Sequence, residues 1–318
     1  MRGNMIKSNN PKERVDILHH FNIFNYNSPL DRWCWLLRNV EYDDVISRYN
    51  NPILIYQGGQ RIVFKVTDPE FGTVALKIGC YRTPQNPDGW DIERIEREIG
   101  ILRQIESSYF PKNFKFEKIS NDRYLILEEF IESVPLSHCM DKFQEPNNIL
   151  ILIKYLVTGL EIIWNKNIVH RDLKPDNILI PSNGIPKIID LGIARSLDST
   201  TITRHLAAGP CTPFYAAPEL LRYDRKLIDK RTDQYNLGII LVQLLLKGTH
   251  PFDPTLVGGQ SIPYNILSDN WYRKIFDDPQ FSKMGSIAST LLGFQQYQRF
   301  RTSEMLLNEI NSCLRLYP

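Results

Sequence analysis

The sequence predicts an α+β fold, with strands gathered in its first half and helices in its second. Three observations lead there. Between 52 and 127 short apolar runs recur with turn residues between them, the pattern of hairpin-connected strands. One amphipathic helix interrupts them at 91–105, where Ile92, Ile95, Ile99 and Leu102 form an apolar stripe. Beyond the strands, 148–165 is apolar with helical spacing, as expected of a helix buried in a second lobe. The 318 residues are enough for two domains or for two closely packed lobes.

Composition narrows the class. Hydrophobic residues make up 42% and charged residues 23%, as in an ordinary soluble globular protein. Against 36 acidic residues stand 38 basic ones, so a net charge of +2 gives no reason to expect a nucleic-acid partner or an anionic membrane. Apolar runs such as 237–241 and 244–246 are too short to span a bilayer, and the opening MRGNMIKSNNPKER has no signal-peptide core. No membrane anchor is expected. Cys34, Cys80, Cys139, Cys211 and Cys313 are odd in number and form no CxxC pair. That pattern argues for free thiols in a reducing compartment, hence a cytoplasmic protein, and against a zinc site.

Taken in order, the polar first residues read as a frayed end. After them Trp33, Leu36, Leu37 and Val40 fall at i, i+3, i+4 and i+7, one face of a helix. That face is expected to pack on the first lobe; the alternative is a regulatory partner bound to the extension. His19 and His20 have no further ligand at metal-binding spacing and read as surface residues. Strands are expected at 53–56, 62–66 and 73–78, the first two joined around Gly58 and Gly59. Lys77 stands on the third, otherwise apolar strand, where a buried ammonium needs a paired charge. Glu98 lies beside the stripe of the 91–105 helix, with Glu96 nearby. Two further strands, 114–119 and 123–127, flank a turn at Asn121 and Asp122.

The chemistry concentrates in 168–192, IVHRDLKPDNILIPSNGIPKIIDLG, where strands at 177–180 and 185–189 flank a Pro181-Ser182-Asn183-Gly184 turn. Asp172, Lys174, Asn177 and Asp190 are polar groups close to buried β structure. A carboxylate with an ammonium two residues on and a carboxamide five residues on suits phosphoryl transfer. Asp172 can accept a hydroxyl proton and Lys174 can neutralise a phosphate, while Asn177 and Asp190 offer oxygen ligands to Mg²⁺.

This stretch resembles the catalytic loop and metal motif of protein kinases, H-R-D-L-x-x-x-N followed by D-F-G, with Leu191 replacing the phenylalanine. Val74-Ala75-Leu76-Lys77 resembles V-A-I-K, and Thr212 to Glu219, TPFYAAPE, resembles the end of an activation segment. Asp233 followed by Gly238 is similar to the start of the family's central helix, and Arg299 to the arginine that pairs with Glu219. The glycine-rich loop is depleted: Gly58 matches its middle glycine, Tyr56 and Arg61 replace the outer two, and Val63 is kept. Over about 52–307 the chain thus resembles eukaryotic-type (Hanks-type) serine/threonine protein kinases.

The resemblance implies a bilobal protein-kinase-like fold. A small, mainly antiparallel β lobe with one key helix is expected at 52–127, a hinge at 128–133 and a larger, mainly helical lobe at 134–318, behind an extension at 1–51. ATP is expected against Gly58, Gly59, Val63, Ala75, Lys77, Glu98, Glu129 and Ile131, with Glu98 orienting Lys77 on the phosphates. Arg61 is expected to reach a phosphate or lie in solvent. Lys77, Asp172, Lys174 and Asn177 form the implied catalytic set, and Asn177 with Asp190 the metal site, for Mg²⁺ or alternatively Mn²⁺. Arg171 is the implied partner of a phosphate on Ser199, Thr200, Thr201 or Thr203, while Thr212 bonds Asp172 and Lys174. Glu219, Asp233 and Arg299 are structural. Lys174 and Thr212 resemble Ser/Thr-directed members, so protein Ser/Thr hydroxyls are the expected acceptors. Two other readings compete. A small-molecule phosphotransferase lacks the Ala-Pro-Glu segment and the Asp233 helix, and a pseudokinase scaffold is favoured by the depleted glycine loop alone.

Overall fold

The computed structural model describes residues 43–57, 61–81, 92–191, 195–196 and 212–317. Its first lobe is built on strands of which β2 and the middle of β3 alternate between buried and half-buried residues. A short helix α1 (Asp43–Ile46) leads into β1 (Asn50–Gln57), β2 (Arg61–Asp68) and β3 (Gly72–Cys80); α2 (Ile92–Leu102) precedes β4 (Asn113–Lys118) and β5 (Arg123–Glu129). The five strands form one antiparallel sheet in the order β1-β2-β3-β5-β4. Leu54, Phe64, Leu76 and Leu127 stand opposite one another across four strands and, with Val45 of α1, form the core beneath one face. The other face carries Val63, Lys77 and Ile126 in one row and Lys65, Ala75 and Glu128 in the next. Ile126 and Tyr124 on that face pack against Ile95 and Ile99 of α2, which seats the amphipathic stripe on the sheet.

Two boundaries differ from the sequence expectation. The sheet begins at Asn50, ahead of residue 52, and the fully buried Val45 makes α1 part of the lobe. Strand β5 continues through Glu128 and Glu129, both expected in the hinge, because Ala75 and Val74 of β3 still pair with them. The Glu129 N–H also donates to the Lys112 carbonyl, 2.8 Å away.

After β6 (Ser133–Pro135) the second lobe opens with α3 (Pro146–Trp164). By length and apolar composition alone α3 is suited to a bilayer, yet eleven of its residues are buried within the lobe's core. Strands β7 (Ile168–Val169), β8 (Ile178–Pro181), β9 (Lys187–Ile188) and β10 (Arg195–Ser196) follow. They make two small sheets, β6-β8-β9 and β10-β7. Next come α4 (Pro218–Leu221), α5 (Lys230–Leu245), α6 (Pro254–Val257), α7 (Ile262–Leu267), α8 (Gly285–Leu291) and α9 (Ser303–Leu314). Helix α5 is buried on nearly every side, which explains its lack of a polar face. Gly238 permits the approach of α8: a Cβ there meets Leu291 and Leu292 atoms at 2.9 and 2.8 Å.

Candidate active site

The loop after β7 is held from beneath by one carboxylate. Asp233, in the first turn of α5, accepts the Trp164 indole N–H at 2.8 Å and the His170 N–H at 2.9 Å on Oδ2, and the Arg171 N–H at 2.8 Å on Oδ1. Burial pushes this carboxyl above its ordinary range; the nearby His170 and the three N–H donors oppose the rise. Arg171 has φ of +71°, a costly conformation for a residue with a Cβ. The paired bonds from Asp233 to consecutive N–H groups hold the chain in it. His170, fully buried, accepts the Asp172 N–H on Nδ1 at 3.3 Å. Its Nε2 therefore carries the proton and donates to the Ile189 carbonyl at 3.1 Å.

Asp172 is thereby fixed with its carboxylate among donors. Oδ1 accepts the Thr212 N–H at 3.0 Å; Oδ2 lies 3.3 Å from Asn177 Nδ2 and 3.4 Å from Lys174 Nζ. Lys174 Nζ also donates to Thr212 Oγ1 at 2.8 Å, so one threonine touches both members, as expected from the sequence. Asn177 closes a single 3₁₀ turn, Pro175–Asn177, and its Nδ2 donates to the Asp172 carbonyl at 2.9 Å. With that nitrogen committed, the atom it can offer a cation is Oδ1. The Ile189 N–H donates to the Asn177 carbonyl at 2.9 Å, which brings the next residue, Asp190, alongside. Asp190 is exposed with φ of +65°, while Leu191 is buried and anchors the turn. Oxygen donors of this kind suit a hard divalent cation.

The opposite wall is the sheet. Val63 and Ala75 lie half-buried on the face that carries Lys77. Lys77 Nζ is 2.6 Å from Glu128 Oε2, with the two side chains 14% and 3% exposed. This corrects the hinge assignment of Glu128: it is a strand residue facing inward beside the lysine. The side chain of Glu98 and the glycines Gly58 and Gly59 lie outside the described residues. Glu129 turns its carboxylate to Lys187 Nζ of β9 at 2.8 and 2.9 Å, tying the sheet to the second lobe. The Ile131 carbonyl accepts from Ser133 Oγ at 3.0 Å.

Arg61 is not in solvent. It is buried, with Nε donating to the Tyr124 hydroxyl at 2.9 Å and its guanidinium 5.7 Å from that ring. The register explains it: Arg61, Gly79 and Tyr124 share one cross-strand row, and the missing Cβ of Gly79 leaves room for the tyrosine. A Cβ there falls 2.3 Å from the Tyr124 hydroxyl oxygen.

Of the activation-segment residues, Ser199, Thr200, Thr201 and Thr203 lie outside the described residues, and Arg171 is half-buried. Glu219 and Arg299 form a bidentate, buried ion pair at 2.7 and 2.9 Å, with Thr232 Oγ1 donating to Glu219 at 2.9 Å. Lys187 is the site residue that sequence reasoning missed, and for Glu128 it left open whether that residue or Leu127 guards the pocket at the start of the hinge. Extending the apolar run LIL by one residue as strand places Glu128 inward, which was the available signal.

Comparison with known proteins agrees with this geometry. The family model for the protein kinase domain matches residues 53–314. Serine/threonine-protein kinase TIO of Arabidopsis thaliana is 31% identical over 182 residues, covering 57% of this chain and 13% of that protein. Human cyclin-dependent kinase 20 is 34% identical over 197 residues, 60% of this chain and 55% of the relative. A probable serine/threonine-protein kinase PknB of Lactococcus lactis is 27% identical over 202 residues, 63% of this chain and 31% of the relative. The matches thus span between 13% and 55% of the length of these three relatives.

Proposed function

This chain belongs to the protein kinase family, and from that premise we propose that it transfers the γ-phosphoryl group of ATP to Ser or Thr hydroxyls of protein substrates. The observation that carries the reading is the Asp172 carboxylate, held by Thr212, Asn177 and Lys174 in one contact set. In this reading Asp172 orients the acceptor hydroxyl and takes its proton. Lys174, already bonded to Thr212, neutralises the transferring phosphoryl, and Lys77 holds the α- and β-phosphates. Asn177 and Asp190 would hold the divalent cation, Mg²⁺ or alternatively Mn²⁺, since both are oxygen donors suited to a hard ion. Bound there, the cation neutralises charge on the phosphates. Val63, Ala75 and the main chain around Glu129 and Ile131 take the adenine. The buried free thiols Cys80, Cys139 and Cys313 support a reducing, cytoplasmic setting.

We further place regulation in the segment before Thr212, with a phosphate on Ser199, Thr200, Thr201 or Thr203 received by Arg171. Transfer of labelled phosphate from ATP to a generic protein substrate tests both statements. Asp172→Asn should lower the rate by orders of magnitude with the fold intact, and phosphatase treatment of active wild type should lower it too. Near wild-type transfer by Asp172→Asn removes the mechanism, and indifference to phosphatase removes the switch.

A further inference from the structure

Lys77 is held from an unexpected side. Its ammonium lies 2.6 Å from Glu128, a carboxylate that β5 carries in the middle of the first lobe's sheet. Ala75 pairs with Glu128 and Lys77 with Ile126, so the two charged residues are diagonal neighbours on one face of adjacent strands. Glu128 is 3% exposed and is flanked by Leu127 on the opposite, fully buried face. A carboxylate so enclosed is tolerable only beside a cation, and Lys77 is the cation it meets. The strand ladder on both sides of β5 fixes its backbone. The partner expected from the sequence, Glu98, stands on α2, a helix seated on the sheet by Ile95 and Ile99, and its side chain lies outside the described residues.

We propose that Glu128 is a positioning residue for the phosphate-binding lysine, fixing the Lys77 ammonium from the sheet whatever α2 contributes. The inference rests on the kinase reading of the same site. An ammonium has three N–H donors. One bond to Glu128 leaves others for phosphate oxygens and for a carboxylate on α2. The carboxylate sets where the ammonium sits before nucleotide arrives, so phosphates meet a preplaced charge rather than a free side chain. Because the partner belongs to a strand, this hold does not vary with the position of α2.

Binding of Mg²⁺–ATP and of adenosine to the purified full chain separates this role from simple filling of space. Glu128→Gln should weaken ATP at least about tenfold while adenosine, which has no phosphates, changes less than about twofold. Glu128→Asp, which keeps the charge on a shorter arm, should fall between. A double-mutant cycle guards against misfolding: in a Lys77→Met background the ammonium that Glu128 would place is already gone, and Glu128→Gln should cost no further ATP affinity. Glu98→Gln measures the contribution from α2 separately, and the loss from Glu128→Gln should persist in that background. Unchanged or tighter ATP binding by Glu128→Gln overturns the proposal, as does equal loss of adenosine. A wild type that binds ATP but transfers no phosphate overturns the transfer reading and leaves this one standing. A wild type that binds no nucleotide overturns both.

Discussion

Thr212 serves two charged groups at once, through its N–H to Asp172 and its hydroxyl to Lys174. Thr212→Val keeps the first contact and loses the second. We expect kcat to fall about ten- to a hundredfold with stability little changed, and Thr212→Ser to retain most of the rate. Steady-state kinetics on both variants checks this; equal rates for valine and serine would show the hydroxyl idle. His250 is a residue whose effect lies in stability instead. Its ring stands edge-on to Tyr215 at 5.3 Å, and burial pushes its pKa down to about 4 from 6.5, against the Phe214 backbone and Asp253. The unfolded chain therefore binds an extra proton between those two values. The stability that the neutral ring contributes is complete above pH 6.5 and is lost as pH falls towards 4, about 3 kcal/mol in all. Urea unfolding of wild type and His250→Gln across that window should show the wild type losing more stability as the solution is acidified. A difference between the two that is constant with pH would contradict it.

At the scale of elements, the buried ion pair decides how the segment ending in Glu219 meets the helices. Arg299 gives Glu219 two hydrogen bonds, donates Nε to the Gly293 carbonyl at 2.8 Å and covers the Tyr235 ring at 4.8 Å. Removing one partner strands the other in a water-free site. Arg299→Ala should cost about 3–5 kcal/mol, and Arg299→Lys should restore only part, because an ammonium cannot reproduce the planar fork. Chemical denaturation reads both, and a loss below about 1 kcal/mol for the alanine variant would mean the segment is held elsewhere. The same scale explains Arg61. Its strand row, shared with Gly79 and Tyr124, takes it out of solvent and makes it part of the sheet's packing.

For the whole molecule, the first lobe starts earlier than its motifs do. Val45 is fully buried in the sheet's core, Arg48 pairs with Glu117 at 2.9 Å, and Asp44 with Arg123 at 3.3 Å. Deleting residues 1–42 leaves these contacts, whereas deleting 1–48 takes Val45 and the half-buried Ile46 from the core and removes both ion pairs. The longer deletion should be less stable than the shorter by about 2–4 kcal/mol, measured as a lower Tm. Equal Tm values would place α1 outside the core. The shorter deletion, in turn, tests the apolar face at Trp33, Leu36, Leu37 and Val40. Lost stability fits packing on the lobe, and unchanged stability fits a surface for a regulatory partner.

By itself the sequence determined the order and kind of the chemistry: Asp172, Lys174, Asn177 and Asp190 stand within 19 residues of one another, so local spacing is enough to bring them together. It also determined the two-part architecture, since period-two and helical patterns occupy different halves of the chain. Only the tertiary structure decided that Glu128 faces Lys77 rather than the hinge. That choice depends on the register between β3 and β5, strands about fifty residues apart, and a one-residue extension of β5 turns Glu128 from hinge to pocket wall. Arg61 is the same case, for its surroundings are set by a glycine and a tyrosine on two other strands. Spacing along the chain carries local geometry; pairing across it carries the rest, because strand register is fixed by burial of a whole face rather than by any neighbouring residue.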